Sequence, residues 1–195
     1  YGEVNLSGAG EGSVEIMTIH KSKGLEFPIV ILAGMGKQFN MQDLNARLLI
    51  HPDYGLGADA ILPDRRMIVS TLYKQVIRRK LLEETLGEEI RVLYVALTRA
   101  KEKLIMTGTI GNLEKRLLSL YRFRENEQEL LPAETRLNGK TYWDYVLPAL
   151  ARHRCMDELF EEFGLLPSHD NLLYDDPAEF QVKRITARTL TEAEV

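Results

Sequence analysis

Short apolar segments alternate with longer amphipathic ones along the first half of the chain. Val14–Ile19 and Phe27–Leu32 are short, mainly apolar runs, and they predict two strands. The second run is apolar at consecutive positions, which is typical of a strand covered on both faces in a parallel sheet. Residues 34–70 contain several glycines and prolines, so we expect an irregular excursion with a short helix near Met41–Leu48.

A helical period begins at Thr71 and continues to Thr98. Apolar side chains recur there at helical spacing, which indicates an amphipathic helix, and Gly87 is expected to break it into two. The apolar run Lys103–Gly108 then predicts a third buried strand. The alternation of strand and helix implies an α/β fold with a mainly parallel sheet flanked by helices.

The second half of the chain carries weaker patterns. Asn112 is placed to cap a helix that continues through Leu120. Thr141–Arg154 predicts a further helix, which Pro148 should kink. The segment Phe180–Ile185 is a possible strand near the end of the chain.

Composition excludes several classes of protein. The chain has 195 residues, 45% of them apolar, 28% charged and only one a cysteine. This apolar content is too high for a disordered chain, and one cysteine rules out a disulfide framework or a multi-thiolate zinc site. No apolar run approaches the ~20 residues of a membrane helix, and no signal peptide is visible. We therefore expect an intracellular, cytoplasmic protein with no membrane partner.

The net charge of −4 argues mildly against a nucleic-acid partner. The acidity is unevenly distributed, however. Residues 1–110 hold 14 basic and 13 acidic groups, whereas residues 111–195 hold 11 basic and 16 acidic groups. The first half is close to neutral, so the charge balance says little about DNA binding.

The first candidate constellation is Thr18–Phe27, which runs directly into a predicted strand. Gly24 permits close approach of the backbone to a ligand, and Glu26 can accept a hydrogen bond from a ribose hydroxyl. Ligands gather at the carboxyl ends of strands in open parallel sheets. A solvated turn with a basic face is the alternative interpretation. Donors suited to phosphate oxygens come from Thr18, His20, Lys21, Ser22 and Lys23.

The second constellation is Glu88–Lys101, at the end of the predicted helix. Arg99 lies just before the third predicted strand, where a guanidinium can reach a phosphate through two parallel hydrogen bonds. Taken alone, a cation near the end of a helix is explained equally well by the helix dipole.

Together, the two segments are much more specific. The chain carries TIHKSKGLEFPIVILAG followed by EEIRVLYVALTRAKEKLIMTG, and these resemble motifs V and VI of the superfamily 1A helicases, the UvrD/Rep/PcrA/RecB group. The later segments GMGKQFNMQDLN and TYWDYVLPAL are similar to the AddA-type ATP-dependent helicase/nuclease subunits. The close resemblance covers about residues 14–110 and continues more weakly to about residue 153.

The resemblance implies a role for each matching residue. Arg99 matches the arginine finger of motif VI, which contacts the γ-phosphate of ATP. Glu26 matches the carboxylate that binds the nucleotide ribose, and Gly24 matches a position close to the phosphates. Thr18 and His20 match positions that line the path of single-stranded DNA, with Lys21, Ser22 and Lys23 nearby.

Two charged residues at the head of motif VI are also implied to be functional. Glu89 and Arg91 match positions that couple neighbouring domains in the family. The fold that the resemblance implies is part of a RecA-like (P-loop NTPase-type) domain, the helicase domain 2A.

The resemblance also implies a larger parent protein. The chain contains no GxxxxGK[ST] phosphate-binding loop, no Walker B pair after an apolar strand and no nuclease signature. We therefore expect ATP and Mg²⁺ to be cofactors of the full-length protein, and the isolated chain to be inactive. The expected partners are DNA ends, the 1A, 2B and nuclease domains of the same chain, and a second subunit of the AddB type. A free-standing RecA-like module that binds DNA or protein without hydrolysis is the alternative.

The expected organisation has three parts. Residues 1–13 are interpreted as a linker or torn edge, residues 14–153 as the C-terminal portion of domain 2A, and residues 154–195 as a tail or linker toward a nuclease domain. The parent would translocate on single-stranded DNA and process double-strand breaks for recombinational repair.

The remaining candidates have ordinary explanations. His51, His153 and His169 are isolated, so we interpret them as surface or loop histidines and expect no metal site. Cys155 is expected to be an unreactive thiol. The aromatic cluster around Trp143 is expected to pack rather than to stack on bases.

Overall fold

The computed structural model describes residues 13–166, 171–186 and 189. The strands are β1 (Phe27–Leu32), β2 (Leu48–His51), β3 (Gly55–Leu62), β4 (Met67–Ser70) and β5 (Ala100–Met106). The helices are α1 (Leu72–Leu97), α2 (Leu113–Tyr121), α3 (Ala133–Leu137), α4 (Trp143–Leu150) and α5 (Asp157–Glu162).

Strands β1 and β5 pair in parallel, and helix α1 lies between them in the chain. The register places Ile29 opposite Lys103 and Leu32 opposite Met106. The predicted α/β class and the bounds of β1 are confirmed. The strand predicted over Lys103–Gly108 begins three residues earlier, at Ala100, because pairing with β1 extends the ladder toward the helix.

One face of this parallel pair is covered by α1, and the other is open. Leu32 packs with Met35, Leu93 and Ala96 in a buried cluster. On the opposite face the side chain of Ile29 is 57% exposed and that of Ile31 is 62% exposed. The prediction that β1 is covered on both faces is therefore wrong for the described part of this chain, where α1 supplies only one layer.

The strand predicted over Val14–Ile19 is wrong. Residues 13–18 have irregular backbone, and the chain then turns through residues 19–24. Val14 is 88% exposed and Ile16 is 95% exposed, and no described strand pairs with this segment. An apolar run becomes a strand only when a neighbouring strand satisfies its backbone groups.

The segment predicted to be irregular contains a three-stranded antiparallel sheet in the order β2-β3-β4. Only a single 3-10 turn, Gln42–Asn45, corresponds to the helix predicted near Met41–Leu48. The sheet lies against α1, and Gly57 makes this possible. A Cβ at Gly57 would lie 2.8 Å from the Cα of Lys74, closer than side chains tolerate. The glycines that suggested a loop instead serve a turn and a close contact.

Helix α1 runs without a break through Gly87, so the prediction of two helices is wrong. The side chain of Thr71 caps its N-terminus by accepting a hydrogen bond from the amide of Lys74. Leu86 and Leu93 are buried on either side of Gly87. This packing outweighs the roughly 1 kcal/mol that glycine costs inside a helix.

The second half folds around its own apolar cluster. The predicted cap is confirmed, since Asn112 accepts a hydrogen bond from the amide of Lys115 at the start of α2. The helix predicted over Thr141–Arg154 is shorter: α4 contains Pro148 and ends at Leu150. The cluster joins α2, α4 and α5 and consists of Leu117, Leu120, Phe123, Leu147, Ala151, Met156 and Phe160.

The strand predicted at Phe180–Ile185 is also wrong. These residues are irregular, and Phe180, Val182 and Ile185 are exposed. No neighbouring strand in the described ranges is available to pair with them. The three domain boundaries expected from the sequence stay a prediction, and most of the first segment lies outside the described residues.

Two of the three histidines are buried, so their interpretation as surface or loop residues is wrong. His51 Nδ1 accepts from the amides of Asp53 and Tyr54, and its Nε2 lies 3.2 Å from the Glu84 carboxylate. His153 Nδ1 likewise accepts from the amide of Cys155. Both rings act as local caps for backbone groups. His169 lies outside the described residues.

Candidate functional site

The two motif segments meet at the amino-terminal ends of β1 and β5. The amide of Phe27 donates to the carbonyl of Arg99 over 3.0 Å, and this bond starts the parallel ladder. The sequence placed the first motif at the carboxyl end of a strand, but that strand, Val14–Ile19, does not form. The residues are nevertheless brought together, because parallel pairing aligns the start of β1 with the start of β5.

Arg99 is held at this edge by three acceptors. Its Nε donates to the carbonyl of Val95 over 3.0 Å, its Nη1 to the carbonyl of Leu25 over 2.9 Å, and its Nη2 to Oγ1 of Thr98 over 3.0 Å. The last carbonyls of a helix have no intrahelical partner, so the first of these bonds also satisfies the end of α1. The guanidinium therefore bridges the end of the helix and the turn before β1.

All three acceptors of Arg99 are neutral. No ion pair found among residues 13–166, 171–186 and 189 includes this arginine. A guanidinium has five N–H donors, and three are used, so each terminal nitrogen keeps one N–H for an acceptor beyond the described residues. A partly buried cation of this kind is suited to binding an anion.

Glu26 lies beside this arginine, one residue after Leu25. Its carboxylate is 59% exposed and pairs with the ammonium of Lys101 over 3.2 Å. Gly24 has a φ of +83° in the left-handed region, and no atom lies within 4 Å of the position of a Cβ. The turn therefore leaves open space in front of its backbone, and the Glu26 carboxylate is accessible to a ligand.

The turn through residues 19–24 presents most of the predicted DNA contacts to solvent. Thr18, His20, Lys21 and Lys23 are exposed. Ser22 differs, because it is buried and its hydroxyl donates to the carbonyl of Ile19 over 2.7 Å. Ser22 thus stabilises the turn, and a contact with DNA stays a prediction for all five residues.

The two charged residues at the head of the second motif have different surroundings. Glu89 is partly buried and accepts a hydrogen bond from the hydroxyl of Tyr142 over 2.7 Å. Burial and this hydrogen bond both raise the pKa of Tyr142. Arg91 is exposed and pairs with Glu88 on the same helix. Glu89 thus ties α1 to the start of α4, and a role of either residue in coupling domains stays a prediction.

Comparison with known proteins identifies the family. Residues 3–110 match the model of the UvrD-like helicase C-terminal domain. The chain belongs to this family. The match covers both motif segments, so it confirms the resemblance inferred from Thr18–Gly34 and Glu88–Gly108.

Curated relatives narrow this assignment. The chain is 42% identical over 194 residues to the AddA-type ATP-dependent helicase/nuclease subunit of Clostridium botulinum (strain Kyoto / Type A2). It is 44% identical over 194 residues to the protein of the same name from Bacillus cytotoxicus. These alignments cover 100% and 99% of this chain but only 15% of each relative. The resemblance to AddA-type subunits is therefore confirmed, and the chain spans about 15% of the length of these relatives.

Three features of this UvrD-like domain were not predicted as part of the site. They are the main-chain carbonyl of Leu25, the hydroxyl of Thr98 and the ammonium of Lys101. A carbonyl carries no side-chain signature, so no sequence pattern could reveal the first. Lys101 follows from the parallel register, which was not known before the strands were seen to pair.

The other candidates of this UvrD-like domain behave as expected. Trp143 packs between both apolar clusters, which confirms its interpretation as a packing residue. Burial, together with the nearby carboxylate of Asp157, raises the pKa of the Cys155 thiol to about 11, which confirms an unreactive cysteine. Among the described residues, no group of three or more potential metal ligands comes together. No helix there is both long and apolar enough to cross a membrane.

Proposed function

We propose that this domain supplies an arginine finger, Arg99, to the ATPase cycle of a DNA helicase/nuclease. The observation that carries the proposal is the state of the guanidinium. It is fixed by three neutral acceptors, has no ion pair among the described residues, and retains an N–H on each terminal nitrogen. The relatives, which are named as ATP-dependent helicase/nuclease subunits, support ATP as the source of the anion.

The residues around Arg99 fit a nucleoside triphosphate. A guanidinium stabilises the charge that spreads over the transferred phosphoryl group during hydrolysis. Glu26 is exposed at the same edge and can accept from the ribose hydroxyls, with Lys101 as its partner when no nucleotide is bound. The open space before Gly24 admits phosphates close to the backbone.

The rest of the ATPase machinery would come from other parts of the full-length protein. Mg²⁺ requires carboxylate or hydroxyl ligands near the phosphates. No suitable cluster occurs within the described residues, so its ligands belong to the remaining sequence of the parent. For the same reason, we expect this chain alone to show no ATPase activity above background.

The exposed turn before β1 is the proposed DNA contact. Thr18, His20, Lys21 and Lys23 offer donors to phosphate oxygens, and the same turn continues into Leu25, which holds Arg99. Binding of single-stranded DNA at the turn would therefore be felt at the ATPase site. In this proposal the parent works in the bacterial cytoplasm, pairs with a second subunit of the AddB type, and processes double-strand breaks for recombinational repair.

The decisive experiment is Arg99→Ala in the full-length protein with its partner subunit. We expect ATP binding to be largely retained and DNA-stimulated turnover to fall by about 10³-fold, the effect of removing such an arginine in related phosphoryl transfers. Arg79→Ala is the matched control, because Arg79 lies on the same helix and pairs only with Glu83 at the surface. Near-normal turnover of Arg99→Ala would remove the assigned role.

The DNA contact has a separate test. Thr18→Ala combined with His20→Ala should weaken single-strand binding or the stimulation of ATPase activity by DNA. Unchanged DNA affinity together with unchanged stimulation would reject the placement of the DNA path along this turn.

A further inference from the structure

Thr98 stands between the end of helix α1 and the guanidinium of Arg99. Its Oγ1 lies 2.9 Å from the carbonyl of Tyr94 and 3.1 Å from that of Val95, so the single hydroxyl hydrogen is directed to the helix. The same oxygen accepts from Nη2 of Arg99 over 3.0 Å. Because the hydrogen is occupied, the lone pairs of Oγ1 are available to the guanidinium.

The three acceptors of Arg99 differ in how they are held. The carbonyl of Val95 belongs to the helix, and the carbonyl of Leu25 belongs to the turn before β1. Thr98 provides the one contact made by another side chain among the described residues. An arginine side chain has many rotamers, and fixing its planar head in advance reduces the entropy lost when it binds a ligand.

We infer that Thr98 is a positioning residue for Arg99. Its hydroxyl holds Nη2 so that the remaining N–H groups on the two terminal nitrogens are presented together to the terminal phosphoryl group of the nucleotide. This inference rests on the proposed function, in which Arg99 is the arginine finger.

The chain contains a matched control for this role. Thr85 lies in the same helix, and its hydroxyl donates to the carbonyl of Leu81 over 2.8 Å, as the hydroxyl of Thr98 does to Tyr94. Of the hydrogen bonds seen in the described ranges, that of Thr85 to Leu81 involves no arginine. Replacing Thr85 therefore measures the cost of losing such an intrahelical bond alone.

The test compares Thr98→Val, Thr98→Ser and Thr85→Val in the full-length protein with its partner subunit. Valine has nearly the shape of threonine but lacks the acceptor. We expect Thr98→Val to lower kcat for DNA-stimulated ATP hydrolysis about tenfold, the effect of one lost hydrogen bond to a charged group, with KM for ATP within about twofold. Thr98→Ser should recover kcat to within about twofold, and Thr85→Val should leave both constants unchanged.

A double-mutant cycle distinguishes positioning from a structural effect. If Thr98 acts through Arg99, adding Thr98→Val to Arg99→Ala should cause no further loss of kcat. Full additivity of the two losses would overturn the inference, and so would a normal kcat in Thr98→Val. Failure of the proposed function looks different, because in that case Arg99→Ala itself retains turnover.

Discussion

Arg99 donates a hydrogen bond to the main-chain carbonyl of Leu25, a residue 74 positions earlier in the chain. This contact joins the end of helix α1 to the turn that precedes β1. The turn carries the proposed DNA contacts, and the arginine is the proposed contact to the phosphoryl group. A movement of the turn therefore changes one of the three bonds that orient the guanidinium.

Replacement of Glu26 by glutamine tests the ribose contact. A carboxylate accepts a stronger hydrogen bond from a hydroxyl than an amide does, so we expect KM for ATP to rise about tenfold, with kcat within about twofold. The measurement is steady-state ATPase activity of the full-length protein. Glu83→Gln, a surface change far along α1, serves as the control. An unchanged KM for ATP in Glu26→Gln would argue against a ribose contact.

Replacement of Gly87 by alanine should stabilise this chain. The glycine lies inside a continuous helix, and nothing lies within 4 Å of the position of its Cβ. We expect the free energy of unfolding to rise by about 0.5–1 kcal/mol, measured by denaturant unfolding. Gly57→Ala is the contrasting variant, since its Cβ would lie 2.8 Å from the Cα of Lys74 and should destabilise the chain. Equal effects of the two changes would contradict this account.

The buried ion pair between Lys74 and Asp59 should be costly to break from one side. Its two charged atoms lie 2.7 Å apart, and both side chains are largely shielded from solvent. We expect Asp59→Ala to lower the free energy of unfolding by roughly 3 kcal/mol, because it leaves a buried ammonium without its partner. Removing the charge as well, with Lys74→Met in the same chain, should recover much of that loss.

The exposed pair Arg79–Glu83 is the control for that measurement. Its two side chains are substantially exposed, so Glu83→Ala should change the free energy of unfolding by less than about 0.5 kcal/mol. A comparable loss at both pairs would show that burial does not set the cost.

The stability of the chain should fall in acid partly through Asp144. Burial opposes its ionisation, but the amide of Lys140 and the guanidinium of Arg116 outweigh burial and hold the pKa of Asp144 below its usual value of 3.8. A lowered folded-state pKa stabilises the fold above the unfolded value, and this contribution is lost as the pH falls through the lowered value. Asp144→Asn should therefore be destabilising near neutral pH.

The pH dependence provides the measurement for this prediction. Unfolding free energies between about pH 3 and about pH 7 should converge for the parent and Asp144→Asn as the pH falls. Asp64→Asn, in the exposed turn after β3, is the control. A constant difference across the whole range would mean that the charge of Asp144 does not contribute.

Cys155 should react slowly with thiol reagents in the folded chain. Burial is the largest cause that raises its pKa from 9.0 to about 11, so the thiolate is about 100-fold scarcer at mildly alkaline pH. Labelling kinetics at about pH 8 should be correspondingly slower than in denaturant. Equal rates in the two conditions would mean that the thiol is not shielded.

Local patterns were sufficient for several elements and for the identity of the site residues. The strand Phe27–Leu32, the cap at Asn112 and most of α1 follow from features within a few residues of each other. Arg99 and Glu26 were also found from the sequence, because their motifs are dense in charged and polar groups between apolar runs.

Long-range packing decided the rest. Gly87 stays helical because α1 is packed on both sides of it, and the antiparallel sheet forms because its strands find each other and the helix. His51 is buried because Glu84, distant in sequence, accepts from its ring. None of these contacts has a signature in a short stretch of sequence.

The order of residues along the chain was enough to indicate which of them carry the chemistry and which helices and strands most of them occupy. How Arg99 is held depends on the folded arrangement: a main-chain carbonyl of Leu25, a hydroxyl of Thr98 and the end of α1. The physical reason is that a carbonyl is common to every residue. Its position relative to a guanidinium is set by the parallel register of β1 and β5, which side-chain patterns do not specify.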